Sequence, residues 1–148
     1  MTEAELQFES FVARFLPDIA EAGRAGVAKL RALLPECDVL VYDNYNALVA
    51  GFSPDGRTSS ALLSLTLYPR WVSLFVSAEL DDPHGLLEGG GGTVRHVKMK
   101  GGASDLGRPE VAALITQSRE RAGAMIVEGR SGELIVRSVS AKQRPRRP

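Results

Sequence analysis

The sequence predicts an α+β fold in which a mostly antiparallel β-sheet is packed by N-terminal and C-terminal helices, and three observations carry that prediction. First, Phe8, Phe11, Val12, Phe15, Leu16 and Ile19 recur at the spacing of one helical face. Second, four strand-like runs at residues 38–42, 45–52, 62–68 and 71–76 are joined by connections too short for the crossovers that parallel strands require. Third, a helical pattern opens at Pro109 and is followed by an alternating run at residues 134–139.

Taken in order, the first helix should break before Pro17, because proline disfavours helical geometry at Leu16 and can itself start a new helix. The second helix should place Val27, Leu30 and Leu33 inward and stop before Pro35. Gly23 and Gly26 each weaken it by about 1 kcal/mol relative to alanine. Among the strands, Asp43-Asn44 is a turn signal, and Ser53-Pro54-Asp55-Gly56 is a stronger one. The C-terminal helix should present Val111, Leu114, Ile115 and Ser118 on one face and end at Gly123.

The stretch from residue 78 to residue 100 carries the chemistry: both histidines, a carboxylate cluster, four consecutive glycines and a basic strand. Asp82 before Pro83 reads as an N-cap, Leu86 and Leu87 should point inward, and Gly89 should take a positive φ. In the strand at 93–100, Arg95, Val97 and Met99 share one face, while Val94, His96, Lys98 and Lys100 share the other. Arg95 on an apolar face demands a partner, either a carboxylate such as Glu79 or Glu88 or an anionic ligand at a pocket mouth.

The motif LDDPHGLLEGGG, followed by Arg95-His96, resembles the YdhG-like family of bacterial domains. The resemblance extends upstream to VYDNYNALVAGFSP and LSLTLYPRWVSLFV, and downstream to LIVRSVSAKQRPRRP. Where that family carries a lysine after the last loop glycine, this chain has Gly92. The resemblance implies an α+β domain and, because the family includes a frataxin-like iron chaperone, raises iron as a possible ligand.

At 148 residues the chain fits one domain, expected over residues 1–140, with a basic, proline-rich tail over 141–148 that should stay out of the core. Zero net charge provides no global attraction for polyanions, and the tail cations Lys142, Arg144, Arg146 and Arg147 promise only weak, salt-sensitive nucleic-acid contacts. No apolar run approaches the roughly 18 residues of a membrane span, and acidic residues fill the N-terminus where a secretory signal would be basic, so cytoplasmic residence is expected. Cys37 stands alone, excluding an intrachain disulfide and a cysteine-rich zinc module.

Two site readings follow. Asp81, His84 and Glu88 could ligate iron, manganese or zinc if they converged; the plainer reading makes them a solvated turn. Asp82, Gly89, Gly91, Arg95, His96 and Lys98 could meet an anion through backbone N–H groups and cations. The glycine loop lacks the P-loop spacing and precedes a strand, which argues against a nucleotide P-loop. No nucleophile motif such as G-x-S-x-G is present, so a non-enzymatic protein binding a small ligand or a partner is favoured over an iron-handling protein, a small hydrolase or a nucleic-acid accessory.

Overall fold

Thr2 and Glu5 open the first helix with a reciprocal capping box: the Thr2 hydroxyl accepts from the Glu5 N–H at 3.1 Å, and the Glu5 carboxylate accepts from the Thr2 N–H at 2.9 Å. In the computed structural model, which describes residues 1–148, this helix is α1, Glu3–Val12. The chain breaks before Pro17 as the sequence predicts, and α2 runs Pro17–Leu33.

Six strands follow, β1 (Asp38–Asp43), β2 (Leu48–Ser53), β3 (Leu63–Leu67), β4 (Val72–Ser77), β5 (Val94–Lys98) and β6 (Leu134–Val139), with α3 (Pro109–Ala122) between the last two. Their order across the sheet is β5-β4-β3-β2-β1-β6. Every pairing is antiparallel except β1 with β6. The parallel exception is possible because β1 and β6 are far apart in the chain, separated by β2–β5 and α3, so no short turn has to join them. Tyr45, assigned by its sequence context to the second strand, instead lies in the β1–β2 loop.

Strand alternation divides the sheet into two faces. Val39, Val41, Leu48, Ala50, Phe52, Leu63, Leu65, Leu67, Val72, Leu74, Val76 and Val97 point to the helices and join Phe11, Phe15, Leu30, Leu114 and Ile115 in one core. Gly23 and Gly26 acquire a purpose here. A Cβ on Gly23 would come within 2.4 Å of Leu67 Cδ2, and one on Gly26 within 2.7 Å of Leu65 Cδ2, so the glycines let α2 lie close on β3. What weakens the isolated helix improves its docking.

The C-terminal segment departs from expectation. Arg146 is 3% exposed, and its guanidinium donates to Asp43 Oδ1 at 2.8 Å and to the Asn44 carbonyl. Its side chain and that of Asp43 are each 1% exposed. Gln143 donates to the Asp43 carbonyl at 3.0 Å, and the Arg147 Nε donates to the Arg14 carbonyl at 3.1 Å. Composition pointed to solvent because it counts charges, whereas a charge with a matched partner at a strand end can be buried.

Candidate ligand-binding face

The sheet face away from the helices carries a mixed lining. Reading across the register, Val49 stands beside Thr66 and then Ser73, and Gly51 beside Ser64, Phe75 and His96. Residues 57–61, folded after the Gly56 turn, cover one end: Ala61 approaches Gly51, and Tyr42 hydrogen-bonds Thr58. The other end stays open as a groove of about 650 Å³ lined by Tyr45, Val49, Thr66, Tyr68, Phe75 and Val94. No Asp, Glu, Lys, Arg, His or Cys lines it.

Aromatic contacts order the rim of this groove. Tyr68 and Trp71 stack with ring centroids 4.7 Å apart, Lys98 Nζ lies 4.9 Å over the Trp71 ring, and His96 tilts against Phe75 at 5.3 Å. Burial raises the Tyr68 phenol above its ordinary value, so it remains a neutral hydrogen-bonding group at pH 7. The Ser73 hydroxyl, between Thr66 and Lys98 in the register, is buried without a hydrogen-bond partner. Ser64 is held apart from His96 by Phe75 on the intervening strand, so the face contains no serine–histidine hydrogen bond of the kind that activates a nucleophile.

The residues singled out in the sequence divide between this face and its surroundings. His96 and Lys98 point to it from β5, as their alternation requires. Asp82 instead builds the loop: its two carboxylate oxygens accept from the N–H groups of Leu86 and Leu87, each at 2.9 Å. The capped turn does not continue into a helix. Gly89 and Gly91 have φ of 106° and 73°, and a Cβ on Gly89 would lie 3.5 Å from His96 Nδ1. Glu88 pairs its backbone with His96 in both directions, at 2.8 and 3.0 Å, and covers the outer edge of β5.

Arg95 meets neither proposed carboxylate. Glu79 is engaged by Arg121 at 2.7 Å, and Glu88 lies 3.5 Å from His96 Nε2. The Arg95 guanidinium donates to the Gly92 and Val94 carbonyls at 3.0 and 2.8 Å, because the glycine run leaves accepting carbonyls close to its own side chain. Nor do Asp81, His84 and Glu88 converge: no three His, Cys, Asp or Glu side chains form a group able to hold a metal ion. The Asp81 backbone is clamped to α3 by Gln117, which accepts its N–H at 2.9 Å and donates to its carbonyl at 2.8 Å. Asp81 is thus part of a tether, and His84 is exposed on the turn.

The sequence placed Tyr45, Val49, Thr66 and Tyr68 only within strand-like runs and did not mark them as a site, because their common face depends on strand order. Comparison with protein-family models, curated proteins and solved structures gives no match. No helix is long and apolar enough to cross a membrane.

Proposed function

We propose that this chain is a YdhG-like, non-enzymatic small-ligand binding protein that takes a planar ligand on the open face of its sheet. The observation that carries the reading is the uncharged groove of about 650 Å³, a size suited to a small molecule, with the rings of Tyr45, Tyr68 and Phe75 in its lining. Aromatic walls offer stacking surface, while Asn44, Asn46, Ser64 and Thr66 offer hydrogen bonds that orient a ring. The 81–98 loop supports this face indirectly. It fixes β5 at the sheet edge, from which Val94 enters the lining and His96 and Lys98 flank it.

Trp71 is the only tryptophan and stacks on a groove residue, so its fluorescence reports occupancy directly. A panel of planar heteroaromatic compounds should quench or shift this emission and raise the melting temperature. Tyr45→Ala, at a 41% exposed position, should leave the fold stable while weakening such binding by about 1–3 kcal/mol, the range for loss of one stacking ring. If no member of the panel changes either signal, the groove is not a ligand site.

A further inference from the structure

The docked C-terminal segment creates a second cavity of about 560 Å³ against the β3–β4 turn. The β3–β4 turn contributes Tyr68, Arg70 and Trp71 to its lining, the C-terminal segment Arg144 and Arg147, and the β1–β2 loop Asn46. Asn46 and Tyr68 also line the aromatic groove, so the two spaces adjoin. Three arginines, Arg70, Arg144 and Arg147, line this cavity together with Pro148, and no Asp or Glu side chain does. None of the three makes a salt bridge with any Asp or Glu.

We propose that this cavity receives the phosphate of a small planar phosphate ester, of nucleoside-monophosphate size, whose ring lies in the adjoining groove. The inference rests on the reading of the open face as a small-ligand site and adds the charge class of the ligand. Three arginines around one cavity, none paired with an Asp or Glu side chain, repel each other, and an oxyanion with several acceptor oxygens relieves that repulsion.

The buried Arg146 sets the geometry of this wall. Its pairing with Asp43 fixes the register of the segment, the Arg144 N–H donates to the Tyr45 carbonyl at 2.9 Å, and the Arg144 guanidinium lies 5.5 Å from the Tyr45 ring centroid. Burying an ion pair adds little net stability compared with apolar packing, but it specifies one docking register. Here that register places Arg144 and Arg147 in the lining of the cavity that Arg70 also lines.

The test titrates the full chain with AMP, adenosine, phenyl phosphate, phenol and inorganic phosphate, following Trp71 fluorescence and melting temperature. AMP should bind at least about tenfold tighter than adenosine, with phenyl phosphate likewise preferred over phenol, and salt should erode both preferences. Arg70→Gln should reduce the preference while leaving adenosine affinity unchanged, and Arg144→Gln should reduce the preference as well. Arg70 lies outside the C-terminal segment, so its variant tests the cavity even if the tail substitution loosens docking. Equal binding of AMP and adenosine would overturn the phosphate site and leave the groove standing. Arginine-dependent stabilisation by inorganic phosphate without any ring binding would keep the anion cavity and overturn the groove. No response to any probe overturns both. A single-stranded oligonucleotide binding more than about a hundredfold tighter than AMP would overturn the small-ligand assignment in favour of an extended nucleic-acid surface.

Discussion

Replacing Arg146 with methionine removes a buried cation and leaves Asp43 behind. The carboxylate would lose its 2.8 Å bond to Arg146, and its Oδ2 has no hydrogen-bond partner to compensate. Removing one member of a buried ion pair costs about 3–5 kcal/mol, because the remaining charge is stranded away from water. Arg14 Nη1 lies 3.6 Å from Asp43 Oδ2 and its side chain is 48% exposed, so it can screen part of that charge. The lower end of the range, about 3 kcal/mol, is therefore expected. For a chain of this size that corresponds to a fall in melting temperature of about 6–12 °C. Differential scanning calorimetry of the wild type, Arg146→Met, Asp43→Asn and the double variant measures it. The double variant should recover part of the loss, since it leaves no unpaired charge. A melting temperature within about 1 °C of wild type for Arg146→Met would refute the reasoning and return the C-terminal segment to solvent.

Gly132→Ala should prevent β6 from docking, since its Cβ would sit 1.7 Å from the Cys37 carbonyl oxygen; loss of cooperative urea unfolding checks this. Cys37 is 3% exposed and its thiol is pushed up to about 11, first by burial and then by the Glu36 charge. Alkylation at pH 8 should consequently proceed only after denaturation, and rapid native labelling would contradict that environment. Burial opposes ionisation of Asp38, but hydrogen bonds from Arg130 and the Glu133 N–H outweigh it and hold the carboxyl below its ordinary 3.8. Its contribution to stability is present above 3.8 and is lost as pH falls through the lower folded value. Asp38→Asn should thus lower stability at pH 7 and flatten the acid branch of the stability profile below about pH 4.

The amino-acid sequence by itself determined the local elements, because their causes are local. Pro17 ended one helix and began another, the apolar period placed Phe11 and Phe15 inward, and the alternation at 94–98 assigned His96 and Lys98 to the face opposite Val97. Only tertiary structure decided which distant residues share a surface. Strand order brings Tyr45, Tyr68 and Phe75 to one groove, and the parallel pairing of β6 with β1 carries the chain end back to Asp43. The same limit explains Arg95 and the 81–88 carboxylates. Spacing identifies groups able to pair, but the loop path fixed by Asp82, Gln117 and the glycines decides what they reach. Arg146 shows the physical reason most clearly: composition assigns a charged residue to water, whereas its burial depends on a partner 103 positions away in the chain.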